Sequence, residues 1–371
     1  CMSFWDAGLA ALPVYKNVCA DLRAGHGAVS VIGLAHIHKA VFAAGLRQSL
    51  KRRVAVLTAD EAEAARMVED LRALGLRVEY LPAREITLRP TESASREYEQ
   101  MRLGTLATLA EGNYDAVVAC VEAAIQYTIP PDTLLSRTLE LTAGAVLPVE
   151  DLPAALSAAG YERCAQIEGA GQFAVRGGIV DVYPADSAAP VRIELWGDTV
   201  DTIAAFDLLS QRRTESLEAV AIPPAAEIAC DDPAALAARI TELAGAQRGR
   251  MAAEVKKNLL ADADRLRGGV QPASMDPYIS LLYTPATLFD YLRDALLVAS
   301  EPAKLKERVR TTHWQLEQDV ESLLAEGHLC RELTTHLLEW NDVVWRIEQG
   351  SGLLLDAFAR AQGDIRPAAI Y

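Results

Sequence analysis

The 371-residue sequence has no apolar run approaching the roughly 18 residues that cross a bilayer. Its start, Cys1-Met2-Ser3-Phe4-Trp5-Asp6, lacks the basic lead and apolar stretch of a secretory signal. Six cysteines (Cys1, Cys19, Cys120, Cys164, Cys230, Cys330) are scattered, and none stands in a CxxC pair. That excludes a disulfide or zinc framework. Together these absences predict a cytoplasmic protein with no membrane partner. Positive charge is also short: Lys+Arg 36 against Asp+Glu 51 leaves −15. Duplex binding draws most of its affinity from cations on phosphates, so the acidic chain is a poor candidate for a stand-alone DNA clamp, although a local basic patch can still touch nucleic acid. Hydrophobic residues reach 51%, which excludes wholesale disorder, and the length allows two or three domains.

What is present alternates. Ala28–Ile32, Arg53–Thr58, Val78–Leu81 and Ala116–Cys120 read as buried strands, with amphipathic helices at about 37–50, 61–74 and 95–111 between them. Such units predict a parallel sheet covered on both faces, in a RecA-like or Rossmann-like arrangement. From 137 the texture changes. A short helix (Leu152–Ala159) precedes period-2 segments at Gln172–Arg176, Ile179–Tyr183, Val191–Trp196 and Thr199–Ala204, with Gly197-Asp198 as a hairpin turn. A small α+β domain over 137–228 follows, with Pro223-Pro224 near its exit. Residues 229–345 read as largely helical, including helices at 302–326 and 328–348. Residues 346–371 read as a linker toward a next domain, in an excerpt of a longer polypeptide.

The turn after the first strand, Gly33-Leu34-Ala35-His36-Ile37-His38-Lys39-Ala40, has the spacing of the phosphate loop GxxxxGK[ST]. Gly33 and Lys39 remain. His38 stands where the second glycine lets the backbone curl round phosphates, and Ala40 replaces the hydroxyl that binds Mg²⁺. The loop is therefore expected to lack ATP chemistry. Asp60-Glu61-Ala62-Glu63 resembles a metal-binding acidic box but reads more economically as a helix N-cap with its partner three residues on. His36 with His38, and His328 with Cys330 and His336, lack the spacing of a metal site.

Strand alternation carries more. In Val191–Trp196 it sets Val191, Ile193 and Leu195 on one face and Arg192, Glu194 and Trp196 on the other. In Phe173–Arg176, Arg176 points away from Phe173 and Val175. A tryptophan on the polar side of a half-buried strand is either covered by a neighbouring element or is a binding hot spot, where Trp and Arg dominate. Ordinary salt bridges explain the arginines equally well.

Several stretches resemble the amino-terminal, UvrB-like part of the bacterial transcription-repair coupling factors. They are Gln172 through Pro184, Val191 through Asp201, Phe206-Asp207 with Gln211-Arg212, Leu81-Pro82-Ala83-Arg84, Ser95-Arg96-Glu97, Tyr114 through Ala123, and Tyr283 through Val298. UvrB itself is less similar. It keeps an intact phosphate loop and a long aromatic hairpin for which the segment between Leu81 and Ser95 is too short. The resemblance implies a RecA-like domain over 1–136 with a degenerate phosphate loop, a return of that domain over 229–345, and a UvrA-docking domain over 137–228. It also implies UvrA-binding roles for Arg176, Arg192 and Trp196, the last in place of a more usual phenylalanine, and less firmly for Glu194, where aspartate is frequent. The chain is then a non-catalytic recruiter with no cofactor of its own. ATP, Mg²⁺, RNA polymerase and duplex DNA belong to parts of the family absent here. Two rival readings are a UvrB-related ATP-dependent helicase or translocase with residual nucleotide binding through Lys39, and a weak duplex binder using Arg47, Lys51, Arg52 and Arg53.

Overall fold

A computed structural model of the chain describes residues 4–89, 97–148, 151–185, 187–358 and 364–371. Cys1, Ser95, Arg96 and the expected helix start at 95 lie outside the described residues. In chain order the strands are β1 (Val29–Ile32), β2 (Val54–Thr58), β3 (Val78–Leu81), β4 (Ala116–Cys120), β5 (Leu139–Thr142), β6 (Glu162–Arg163), β7 (Gln172–Arg176) and β8 (Ile179–Val182). They continue as β9 (Val191–Trp196), β10 (Thr199–Phe206), β11 (Arg213–Leu217), β12 (Ala219–Ile222), β13 (Leu296–Ser300), β14 (Leu353–Asp356) and β15 (Ala369–Ile370).

The apolar runs become strands because burial on both faces suits continuous Val, Leu and Ala. β2, β4, β13 and β14 are buried at every position. Seven strands form one parallel sheet in the order β15-β1-β14-β13-β2-β4-β3. Successive residues of β2 feed opposite layers. Ala55 and Leu57 join a core with Leu106, Ile125 and Leu297, while Val54 and Val56 join Phe42, Leu46 and Met67. The helices His36–Leu50, Glu61–Ala73 and Glu97–Glu111 fall where the periodicity places them. This is the expected parallel-sheet α/β domain.

Two expectations fail in the carboxy-terminal third. Residues 346–371 are not a linker: β14 is inserted between β1 and β13, and β15 pairs with β1. The signal was the run Leu353-Leu354-Leu355, too apolar for a solvated connection. The helix expected over 328–348 is interrupted. Only Trp340–Gln349 is α-helical, after a single 3₁₀ turn at Arg331–Leu333. Between them the backbone bonds across to the chain after β4. Tyr127 N donates to His336 O, and Leu338 N donates to Ile125 O, which leaves those groups no intrahelical partner.

The second unit is a six-stranded sheet in the order β11-β10-β9-β8-β7-β6, antiparallel except for β6 with β7, over a β5–β12 pair. The helix Asp151–Ala158 covers one face, where Leu152 and Leu156 pack on Phe173, Val180, Ile193 and Ile203. Two tight turns shape its hairpins. Gly177 and Gly197 adopt φ near +60°, which glycine tolerates at no steric cost. Gly178 lies so close to β9 that an added Cβ would sit 2.7 Å from Leu195 O.

Both necks of this unit are tied to the parallel-sheet domain. At the exit, Glu227 is fully buried and accepts from Arg102 Nε at 2.6 Å and Thr128 Oγ1 at 2.7 Å, with Arg84 at 3.5 Å. Burial alone would raise the Glu227 pKa, but Arg102 and Arg84 hold it below the usual carboxylate range. At the entry, Arg137 donates to Ala229 O and pairs with Asp231 at 2.5 Å. The two chain crossings are thus stitched to one another.

Candidate functional site

The face of the six-stranded sheet turned away from the helix Asp151–Ala158 collects the residues that alternation singled out; Ile167, Phe206 and Leu208 pack over Ala174 on it, while Arg176 and Trp196 stay open to solvent. β9 reads buried, half-buried, buried, half-buried, buried, exposed from Val191 to Trp196, as period 2 requires. Register lays out two rows across the face. One runs Ala174, Asp181, Arg192, Ala204; the other runs Arg176, Ile179, Glu194, Thr202. Trp196, beyond the second row, pairs with Thr199, which in turn bridges to Val146. Directly opposed residues share a face, so Trp196, Thr199 and Val146 form a third row. Trp196 is 84% exposed and Val146 78%. Among the described residues nothing covers the indole, so the reading in which a neighbouring element packs over it does not hold.

The charged rows are interlocked. Asp181, 1% exposed at its side chain, accepts a fork from Arg192: Nε to Oδ1 at 2.7 Å and Nη2 to Oδ2 at 2.9 Å. Arg176 Nη2 joins Oδ2 at 3.1 Å. The Arg192 guanidinium also lies 4.6 Å from the Phe206 ring centroid and donates to Gln211 O and Oε1. Arg176 keeps half its side chain in solvent, whereas Arg192 keeps 17%. Glu194 accepts from Thr202 Oγ1 at 3.1 Å and pairs with Arg213, whose hydrogen bond holds the carboxyl below its ordinary range. Three guanidiniums on two carboxylates leave one net positive charge beside an apolar row.

Asp181, Arg213 and Val146 escaped the sequence reading. Asp181 had a signal: it alternates against Val180 and Val182 in a strand otherwise apolar. Arg213 and Val146 had none, since a bulge and an isolated bridge bring them in.

The strand-to-helix turn after β1 is arranged quite differently. Gly33 N and Leu34 N both donate to Asp356 O, at 2.9 and 3.2 Å. Lys39 is buried and its Nζ reaches Glu301 Oε1 at 2.7 Å and Ser300 Oγ at 3.0 Å. Ser300 Oγ in turn donates to Glu63 Oε1 at 2.6 Å. Burial alone would push the Glu301 carboxyl up, but its hydrogen bond with Lys39 holds it below the usual range. A cleft of about 310 Å³ opens here, lined by His36, Lys39, Glu63, Arg66, Glu301 and Lys304. Gly33 N, Leu34 N and Lys39 Nζ, three donors of the phosphate-loop pattern, are thus bonded within the chain, and His38 and Ala40 stand at two of its other positions. Asp60 caps the helix Glu61–Ala73, accepting from Glu63 N at 2.8 Å.

Among the described residues no group of three or more His, Cys, Asp or Glu is placed to hold a metal ion, and no helix is long and apolar enough to cross a membrane. Three of the four residues of the basic run have partners within the chain, and the fourth, Lys51, is exposed. Arg47 binds Asp115, Arg52 binds the carbonyls of Asp294 and Ala295, and Arg53 binds Gly112 O.

Residues 139–228, which carry the exposed face, match the family described as UvrB interaction domain. Over most of its length the chain is similar to two proteins named transcription-repair-coupling factor. That of Bacillus subtilis is 29% identical over 86% of this chain and 28% of its own. That of Myxococcus xanthus is 28% identical over 92% of this chain and 30% of its own. UvrABC system protein B of Legionella pneumophila is 30% identical over 60% of this chain and 36% of its own. The resemblance drawn from the sequence is confirmed. The chain spans less than a third of either coupling factor.

Proposed function

We propose that this chain is a recruitment module of transcription-coupled nucleotide excision repair, and that the sheet face of residues 139–228 bearing Arg176 and Trp196 docks UvrA. One observation carries the reading: an indole 84% exposed on the polar side of a strand, beside a half-exposed arginine. Water-exposed tryptophan gains most from a partner, because such anchors bury large area in few rotamers. In this reading Trp196 and Val146 enter an apolar concavity while Arg176 meets a carboxylate of UvrA, and Glu194 sets the register of the contact. Arg192 acts through Asp181, holding Arg176 in place.

The chain carries no ATP chemistry of its own in this account. The Lys39–Glu301 pair and the Asp356 carbonyl fill the roles a triphosphate would take, which favours a recruiter over the helicase or translocase alternative. ATP, Mg²⁺, RNA polymerase and duplex DNA are assigned to regions of the longer coupling factors that this chain does not span.

Titration calorimetry of the chain into UvrA tests the docking. Trp196→Ala should cost about 2 kcal/mol or more, and Arg176→Ala about 2 kcal/mol if its contact is desolvated. Unchanged affinity in both removes the proposed surface.

A further inference from the structure

We infer that Asp181 is the positioning residue of the docking face: a single buried carboxylate that aims both arginines and fixes the loop beside them. The inference rests on the docking reading above and adds what organises that surface. Asp181 is an inner member of its four-residue row, one strand from Arg192 and one from Ala174. Its Oδ2 is shared, at 2.9 Å by Arg192 Nη2 and at 3.1 Å by Arg176 Nη2. Two guanidiniums on one carboxylate would repel each other without it, and their long side chains would sample many rotamers. The two-bond fork to Arg192 fixes orientation as well as charge.

The order extends further. Arg192, held by Asp181 and lying over Phe206, donates to both oxygens of Gln211. Gln211 sits at φ 59°, a left-handed backbone that tertiary contacts must hold. Its Nε2 and N donate back to Leu208 O and Asp207 O. The loop 207–212 is thereby tied to the sheet by the polar chain Asp181, Arg192, Gln211, alongside the packing of Leu208 on Ala174 and Phe206.

Positioning and simple charge make opposite predictions, which allows a clean test. Asp181→Asn keeps the side chain's size but removes its negative charge, so the face becomes more positive by one. If UvrA reads only positive potential, affinity rises or holds. If Asp181 aims the arginines, affinity falls at least tenfold, because an amide nitrogen now faces a guanidinium.

The measurement is calorimetry of the chain with UvrA for wild type, Asp181→Asn, Arg176→Ala, the double variant and Trp196→Ala. Support is a tenfold or larger loss in Asp181→Asn, together with a smaller loss from Arg176→Ala in the Asp181→Asn background than in wild type. Equal or tighter binding by Asp181→Asn, with Trp196→Ala still weakening, overturns the positioning role and leaves the docking surface standing. No effect of either Trp196→Ala or Arg176→Ala sinks the docking reading and this inference with it. Should Asp181→Asn fail to fold, Arg192→Lys serves instead. It conserves charge but cannot fork onto Asp181 and reach Gln211, so the same tenfold loss is predicted, and wild-type affinity contradicts it.

Discussion

Lys39 and Trp196 are each out of place by the ordinary rules, and for opposite reasons. A lysine ammonium is strongly hydrated and is rarely buried unless paired; Lys39 is buried because Glu301 balances its charge and both Glu301 and Ser300 accept its hydrogen bonds. Replacing it by alanine leaves the buried Glu301 carboxylate with the Ala357 N–H but without its paired cation, and breaking such a pair costs about 3–5 kcal/mol. Urea denaturation of Lys39→Ala should show that loss, while binding of a fluorescent ATP analogue should be absent before and after the change. Analogue binding that disappears with Lys39 would instead support the nucleotide-binding rival. The sequence already displayed half of this. The missing glycine and hydroxyl at His38 and Ala40 were visible, but Glu301 lies 262 positions away and only the fold brings it in. Period 2 likewise showed Trp196 on the polar side, yet nothing local told whether another element covered it.

Among the elements, strands with continuous apolar runs were legible because burial on both faces leaves an unbroken pattern. Period-2 strands were legible because one face is wet. The segment 334–339 was not: the i, i+4 spacing of Leu329, Leu333 and Leu337 concealed that its backbone bonds leave for residues 125–127. β14 was missed for a related reason, since four residues after a helix resemble a connection unless the sheet is known to have a gap. Charge also ties elements together. Asp115, just before β4, joins Arg47 of the helix His36–Leu50 to Arg77 before β3. Partial burial opposes ionisation, but the hydrogen bonds from Arg77 and Arg47 outweigh it and hold Asp115 at about 2, below the ordinary 3.8. A depressed carboxylate stabilises the fold above its unfolded pKa, and that contribution is lost as pH falls toward the folded value. The stability gap between wild type and Asp115→Asn should therefore be widest at pH 5 and above and narrow as pH drops below about 4. Denaturation curves at pH 6, 4 and 3 check it; a gap that widens on acidification contradicts it.

For the whole molecule, the decisive feature is that the small domain does not hang from loose linkers. Glu227 and Arg102 are both fully buried between the exit neck and the parallel-sheet domain, with Arg137 stitching the entry to Ala229 and Asp231. Removing the negative charge by Glu227→Gln leaves Arg102 uncompensated, at a cost of about 3–5 kcal/mol. Cleavage by a broad protease at residues 137–139 and 223–230 should accelerate in that variant before the parallel sheet is attacked. Cleavage unchanged from wild type would mean that the necks are held by other contacts. A fixed domain matters for recruitment, because a surface presented in one orientation loses less entropy when a partner docks. Hydrogen exchange of the 371-residue chain with and without UvrA tests the central claim most directly. Slowed exchange should concentrate in Ala174–Ile179 and Val191–Thr202 and leave the turn Gly33–Ala40 unchanged. Slowing confined to that turn, or to the helices flanking the parallel sheet, would contradict the account.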